Sequence, residues 1–427
     1  MVETSSRAPT SQQIAERVAR DSYGKLVAIL AKRDGDIAAA EDALADAFSK
    51  ALTSWPEKGV PASPEGWLLT VAKNKQTDRM RSAEHRLARS LGEDEDMIPD
   101  PKPSAPDTGA PDFPDERLKL MFVCAHPAID KSVHTPLMMQ TVLGFEAGEI
   151  AQTYLQQPAT LSQRLVRAKR KIRDARIPFI VPDELEIEGR IEPVMEAVYG
   201  VMSLLPIVPA SNGLDNDMAA EALYLAGLLA DRMPSNAEAL GLVSLICLSL
   251  SRRPARLDAR GHFVPLHLQD VERWDADLVR RGVRALNDAA RLRAPGRFQI
   301  EAAIQAAHAE RLENGETNWH AIVQLYDALL SYGRSTGAVC AMASALLHAH
   351  GPEPTLHLLA TLEDETDPRV VGSFHPFWAV RAAAFKANHD LAQAQAAFEK
   401  AISLATETPV RLWLEQELVN CLDAGHA

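Results

Sequence analysis

The sequence predicts an all-α protein built from several helical domains. Apolar residues recur at helical spacing along most of the chain. Aromatic residues are only 5% of the 427 residues, whereas hydrophobic residues as a whole are 46%. The C-terminal part also contains a spacing typical of paired helices. A chain of this length accommodates roughly two to four domains.

The first predicted domain covers residues 12–90 and consists of helices. A helix over 12–55 is interrupted at the DGD stretch, residues 34–36, and its second half carries an apolar stripe made of Ala40, Leu44, Ala47, Phe48 and Ala51. Three prolines and two glycines predict a loop over 55–66. The helix that follows carries several cations: Lys73, Lys75, Arg79, Arg81 and Arg86.

Residues 91–114 differ in composition from both flanking segments. Prolines and acidic residues dominate this stretch, and it has few apolar residues with which to build a core. We therefore expect a flexible, acidic, proline-rich linker between two small helical domains.

The second predicted domain covers residues 115–180 and ends in two helices around the short QQPA turn. This arrangement is typical of a helix-turn-helix, with the second helix as the reader of DNA. An apolar stripe on that helix would pack against the first: Leu161, Leu165, Ala168 and Ile172. The residues that point elsewhere are candidates for DNA contact: Ser162, Gln163, Arg164, Arg167 and Lys171.

The charge distribution favours the same interpretation. The chain has a net charge of −13, but residues 1–180 contain 25 basic and 25 acidic residues, so the excess acid lies beyond them. Between Arg164 and Arg176 there are seven basic residues and one acid, Asp174. A solvated helix would tend to mix acids among these cations, so the run favours an anionic partner.

Residues 185–427 are predicted to form a helical array of the tetratricopeptide type. The clearest repeat unit places small and aromatic residues at offsets 0, 4, 7, 16, 20 and 23, namely Trp378, Ala382, Phe385, Ala394, Phe398 and Ala401. A single irregular helical domain is the alternative.

Several classes of protein are not expected from this sequence. No spacing of Cys or His residues predicts a metal site, and no cofactor or catalytic motif is present, so an enzyme is not expected. No apolar run reaches the ~20 residues of a membrane span. The N-terminus has no apolar core of a signal peptide, which predicts a cytoplasmic protein.

Three of these segments, in this order, resemble an extracytoplasmic-function sigma factor. AEDALADAF (40–48) resembles the helix that docks on RNA polymerase, and WLLTVAKNKQTDRMR (67–81) the helix that opens the minus-ten element. GEIAQTYLQQPATLSQRLVRAKRKI (148–172) resembles the reader of the minus-thirty-five element. The acidic linker separates the first two segments from the third.

The resemblance implies roles for particular residues. It implies that core RNA polymerase binds through Asp42, Leu44, Asp46 and Phe48, and that the minus-ten strand is held by Lys73, Asn74, Arg79 and Arg81. Promoter DNA upstream would be read by the basic helix described above. Ala45 stands where the family usually has Gln.

The remainder of the chain resembles one group of these sigma factors, which carries a long tetratricopeptide-like extension. The resemblance implies that this extension regulates the sigma factor. A protein or peptide is a candidate ligand for it, and the sequence leaves a small molecule open as well. Two alternatives remain at this stage. One is a helix-turn-helix regulator that acts without polymerase through a tetratricopeptide sensor, and the other is a sigma-like interaction scaffold that has lost its original function.

Overall fold

The computed structural model describes residues 10–91, 115–154, 156–208 and 214–424. Within these ranges the regular structure is helical, apart from one isolated antiparallel bridge between Leu257 and Phe263. The all-α prediction is therefore confirmed. The chain forms two compact units, the first from Met1–Leu204 with Ala220–Leu225, and the second from Leu205–Ala219 with Ala226–Ala427. The predicted linker falls almost entirely outside the described residues.

Three helices begin the first unit: α1 (Ser11–Asp34), α2 (Ile37–Lys58) and α3 (Pro64–Leu91). Thr10 and Gln13 form a reciprocal capping box at the start of α1. Gly35, at φ 70°, ends α1, and the side chain of Asp36 caps α2. The break at residues 34–36 thus lies where the sequence predicts it. The predicted loop over 55–66 is shorter, because α2 continues through Pro56 to Lys58.

A compact core joins these three helices. It is formed by large side chains that are almost fully buried, including Leu26, Leu30, Leu44, Trp55 and Leu68. The amide of Gln76 on α3 is also buried, and it donates to the carbonyl of Leu30 at 3.2 Å and to Asp34 at 2.9 Å. This side chain holds α3 against the end of α1, because its buried amide cannot form hydrogen bonds with water instead.

Five helices follow in the first unit: α4 (Glu116–Cys124), α5 (Lys131–Thr141), α6 (Ala147–Thr153), α7 (Pro158–Asp174) and α8 (Glu184–Leu204). The predicted extension begins at residue 185, so its first helix, α8, belongs to this unit and packs on α5. The helix α9 (Leu214–Arg232) adds residues 220–225.

A half-buried charge cluster holds the start of α4. Arg117 donates to Asp115 at 2.7 Å, pairs with Glu221 of α9 and lies over the ring of Tyr224. Burial opposes ionisation of Asp115, yet the hydrogen bonds and charge of Arg117 hold the pKa of Asp115 below its usual value. The residues that follow the linker are therefore tied to α9.

The second unit is built from the remaining helices: α10 (Ala237–Ser251), α11 (Ala276–Arg291), α12 (Arg297–Ala309), α13 (Arg311–Asn314), α14 (Trp319–Leu330), α15 (Thr336–His350), α16 (Pro352–Glu365), α17 (Pro368–Ser373), α18 (His375–Ala387), α19 (Leu391–Leu404) and α20 (Thr408–Ala424). The repeat predicted from Trp378 to Ala401 corresponds to α18 and α19, which pack on each other. Ala382, Ala394, Phe398 and Ala401 are buried in their shared core. The tetratricopeptide assignment itself stays a prediction.

An extended segment, residues 252–275, connects α10 to α11 and contains three single-turn 3₁₀ helices. The guanidinium of Arg311 on α13 donates to the carbonyls of His267 and Gln269, and Arg273 donates to the carbonyl of Leu257. Within the same segment, the ring of Phe263 packs edge-on against Trp413 of α20, with 5.8 Å between the ring centroids. This segment therefore links helices from both ends of the second unit.

Histidines gather around Trp319 in the second unit. The ring of His348 stacks on Trp319 with centroids 4.2 Å apart, and His267 and His308 lie within 6.3 Å and 5.4 Å of the same indole. Burial, reinforced by Arg252 and Arg311, lowers the pKa of His308 to about 3. Burial and the neighbouring His348 lower the pKa of His267 to about 4. The folded unit thus keeps these imidazoles neutral.

The four cysteines of the chain, Cys124, Cys247, Cys340 and Cys421, are buried free thiols. Burial raises the pKa of Cys124 and Cys340 to about 12 and that of Cys247 to about 11. Among the described helices, none has both the length and the hydrophobicity of a membrane span.

We expect the second unit to lose stability as the pH falls below 6.5, the ordinary pKa of histidine. In that range the unfolded chain binds protons that neutral His308 and His267 do not bind in the folded state. Each such group lowers the free energy of unfolding by up to about 1.4 kcal/mol per pH unit, until the pH approaches its folded pKa. Chemical denaturation at several pH values between 7 and 5 measures the slope.

His308→Leu removes one of the histidines that bind a proton on unfolding, so the dependence of stability on pH should become shallower. His357→Asn, which changes an exposed histidine on α16, is the control and should leave the slope as in the native chain. A native chain whose stability does not change between pH 7 and 5 contradicts this account of the cluster.

Candidate nucleic-acid and polymerase interface

The helix α7 presents a basic, solvent-exposed face. Its predicted apolar stripe is buried, with Leu161, Leu165, Ala168 and Ile172 at 0–6% exposure, which fixes the rotation of the helix. The opposite side exposes four of the residues predicted to contact DNA: Ser162, Gln163, Arg167 and Lys171. Pro158 starts the helix, where its missing N–H carries no cost.

Arg164, the fifth predicted reader, is engaged within the protein. Its guanidinium donates to the side-chain oxygen of Gln156 at 3.0 Å and to the hydroxyl of Ser132. These bonds join α7 to the turn before it and to the start of α5. In this structure Arg164 therefore positions α7, whereas the cations of Arg167 and Lys171 are exposed to solvent.

A second side of α7 is covered. Lys169 is 8% exposed, and its ammonium donates to both carboxylate oxygens of Glu41 on α2 at 2.7 Å. Arg173, one turn farther along, lies 3.8 Å from the carboxylate of Asp36. Burial raises the pKa of Glu41, and the charge of Lys169 offsets part of that rise. The sequence analysis did not anticipate these pairs, because 128 residues separate Lys169 from Glu41.

The exposed face of α3 carries the residues predicted to hold the minus-ten strand. Lys73, Asn74, Arg79 and Arg81 are all exposed. From beneath, Arg33 of α1 donates to the carbonyl of Lys73 at 3.0 Å and to the hydroxyl of Thr77 at 2.8 Å, which supports the helix. The arrangement offers a row of cations to a polyanion.

Two acids of α2 pair with cations on this surface of α3. Asp46 lies 2.9 Å from Lys75, and Asp42 lies 3.9 Å from Arg79. Both pairs are exposed to solvent, where water screens the attraction, so they contribute little to stability. Asp42 and Asp46 therefore remain accessible to a partner, and their role in binding polymerase stays a prediction.

The apolar residues predicted to bind polymerase fall in different places. Phe48 is half-buried at the surface of α2. Leu44 is fully buried, so the prediction that it contacts polymerase does not fit this structure. The reason is helical phase, since Leu44 shares the inward face of α2 with Ala40, Ala47 and Ala51.

Among the described residues, no group of three or more His, Cys, Asp or Glu side chains is placed to hold a metal ion. The surfaces of α2, α3 and α7 present cations, amides and exposed carboxylates, which are suited to binding a polyanion and a protein.

Comparison with known families and proteins assigns part of this architecture. Residues 18–86, which cover most of α1–α3, match the family described as sigma-70 region 2. Residues 190–290 match a family of unknown function, DUF6596. An uncharacterized protein of Rhizobium meliloti (strain 1021), R00370, is 31% identical over 382 residues, which cover 89% of each chain.

The chain belongs to the family of that rhizobial protein. Its N-terminal sigma-70 region 2 indicates a sigma factor role in transcription initiation, which implies contact with core RNA polymerase and promoter DNA. No solved structure gives a significant match. The region 2 domain thus contains both α2, with its exposed acids, and α3, with its exposed cations.

We expect Arg167→Ala to weaken binding to double-stranded DNA by about 1–3 kcal/mol, since it removes an exposed cation from the face of α7 that is predicted to contact DNA. Its melting temperature should match that of the native chain. Arg164→Ala should lower the melting temperature as well, because Gln156 and Ser132 lose their donor. Fluorescence anisotropy at fixed salt, on a duplex selected from random sequence by the full chain, measures the affinity.

Arg260→Ala, which removes an exposed cation of the second unit, is the matched control and should leave both quantities unchanged. Native-like DNA affinity in Arg167→Ala contradicts the assignment of this face of α7.

Proposed function

We propose that the protein is an extracytoplasmic-function sigma factor that directs core RNA polymerase to specific promoters and whose C-terminal helices regulate it. The sigma-70 region 2 match over residues 18–86 carries the proposal. It is supported by the position of the basic helix α7 after that domain in the chain, in the order expected of the family. The proposed function is non-catalytic, because the nucleotide chemistry belongs to the polymerase.

In this proposal α2 binds polymerase through exposed carboxylates. Asp42 and Asp46 have side-chain exposures of 80% and 55%, and they would meet a basic surface of the polymerase. Phe48 would add apolar area at the edge of the contact. Ala45 is exposed between Asp42 and Asp46 and stands where the family usually has Gln, whose longer side chain would make this contact larger.

The helix α3 would hold the separated minus-ten strand. Lys73, Arg79 and Arg81 would contact phosphates, and the amide of Asn74 suits a base edge. Since strand separation costs a few kcal/mol per extruded base, these contacts offset that cost only when the strand is open. The second unit would regulate these steps, and the acidity beyond residue 180 gives it a charge opposite to that of α3 and α7.

We expect the full chain to bind core RNA polymerase and to produce promoter-specific transcripts from a promoter library in vitro. The double variant Asp42→Ala and Asp46→Ala should weaken polymerase binding roughly tenfold, about 1.4 kcal/mol, because it removes both exposed carboxylates. Glu57→Ala, an exposed acid near the end of the same helix, is the control. Co-purification and transcript mapping give the two readouts.

A chain that neither binds core polymerase nor supports transcription, yet binds duplex DNA specifically, contradicts the proposal. That result favours a helix-turn-helix regulator that acts without polymerase.

Regulation by the second unit has its own test. A chain that ends at Leu225 keeps the residues of the first unit and lacks most of the second. With equal amounts of bound polymerase, we expect its transcript yield to differ from that of the full chain by roughly threefold or more. Melting curves control for the stability of the first unit. Equal yields from the two chains contradict a regulatory role.

A further inference from the structure

A cavity of about 330 Å³ lies in the second unit, between the start of α12 and the turn that joins α14 to α15. This volume falls within the range of cavities that bind small molecules, roughly 300–1,000 Å³. Charged, aromatic and apolar side chains meet around this one space, and its walls include Arg297, Glu301, Leu329, Tyr332, Arg334 and Ser335.

Hydrogen bonds hold both sides of this cavity. The phenol of Tyr332, in the turn, donates to the carbonyl of Pro295, just before α12, at 2.9 Å. The carboxylate of Glu238 on α10 accepts from the backbone N–H groups of Phe298 and Gln299, and so fixes the start of α12. A ligand would therefore not have to organise these segments at its own cost.

Two arginines and one glutamate give the cavity its charge. The guanidinium of Arg297 donates to Glu301 at 2.9 Å, so these two charges largely cancel. Arg334 lies 3.3 Å from Glu365 of α16, in a pair with side-chain exposures of 52% and 57%. One such bond uses one of the five N–H groups of a guanidinium. Arg334 therefore retains donors for a ligand, and two cations with one anion leave the lining with one net positive charge.

The neutral groups of the cavity also favour a ligand that accepts hydrogen bonds. The hydroxyl of Ser335 accepts from the backbone N–H of Ala338 at 3.1 Å, so its own proton is left to donate. The phenol proton of Tyr332 is taken by Pro295, so this residue offers chiefly its ring. Leu329, which is 8% exposed, supplies an apolar wall. One part of the cavity thus suits an anion, and another suits an apolar body.

A carboxylate matches these groups better than a phosphate does. Its two oxygens accept side by side from one guanidinium, and its single negative charge equals the net charge of the lining. A phosphate monoester carries about two negative charges near neutral pH. It would leave excess negative charge close to Glu301, which is itself only 17% exposed.

We propose that this cavity binds a small organic acid, whose carboxylate pairs with Arg334 and whose apolar or aromatic body lies against Leu329 and Tyr332. The acid competes with Glu365 for Arg334, so binding loosens the link between the turn and α16. Such an acid is a small-molecule signal for the second unit. This inference rests on the proposed function for its regulatory meaning, whereas the binding itself is a property of the isolated chain.

Fluorine NMR of para-fluorobenzoate, added to the full chain, measures binding through the broadening of the ligand signal. We expect saturable binding of this acid and none of para-fluorobenzamide, its neutral counterpart, because only the acid forms a charged pair with a guanidinium. Acetyl-glycyl-glycyl-phenylalanine tests whether the carboxylate at the end of a peptide serves instead. It should bind more weakly, since its peptide groups would lose water against the apolar wall.

Substitutions then test the contacts. Arg334→Gln should raise the dissociation constant of para-fluorobenzoate roughly tenfold or more, because it removes the charged partner. Glu365→Gln removes the competing carboxylate and should lower that constant roughly threefold, a change that loss of folding cannot produce. Ala338→Leu fills the cavity without changing its charge and should block binding. Arg260→Gln, which changes an exposed arginine outside the cavity, is the control and should bind like the native chain.

The outcomes separate this inference from the proposed function. It is overturned by a native chain that does not bind para-fluorobenzoate, or that binds the amide equally well. Native affinity in an Arg334→Gln chain that is folded by circular dichroism overturns it too, and tighter binding of the peptide assigns the cavity to a peptide end. These results leave the proposed function intact, because no polymerase is present. A chain that binds the acid but not core polymerase rejects the proposed function and keeps the site.

Discussion

The apolar seam of α7 is the constraint on which the first unit depends. Once Leu161, Leu165 and Ile172 are buried, the rotation of the helix is fixed, and every cation on it is assigned to a side. Arg167 is left exposed to solvent, and Lys169 is directed into α2. One hydrophobic contact therefore decides which cations of α7 remain exposed to solvent and which form ion pairs with α2.

Local pattern predicted the parts of the fold that local physics determines. Helical periodicity predicted the α7 stripe and the pairing of α18 with α19, because side chains three and four residues apart share a face. The same periodicity placed Leu44 on an apolar stripe, but pattern alone could not distinguish a stripe that faces the core from one that faces a partner. Burial resolves this, and Leu44 belongs to the core.

The ion pairs between distant segments could not be predicted from the sequence, because no local pattern specifies them. Glu41 and Lys169 each resemble ordinary surface residues in their own segments, and only the packing of α2 on α7 makes them partners. The same holds for Arg117 and Glu221, which lie in segments predicted to belong to different domains. Composition predicted an acidic C-terminal region, but not that one of its acids would pair with a half-buried arginine at the start of α4.

The burial of the cysteines limits the kinds of signal that this protein can receive directly. Oxidants such as peroxide react with thiolates, and raised pKa values keep Cys124, Cys247 and Cys340 protonated at cellular pH. All four thiols are also shielded from solvent in the folded chain. The thiols of the folded protein are thus poorly placed to react with oxidants, and a redox stimulus that acts through a thiol would have to reach it through another molecule.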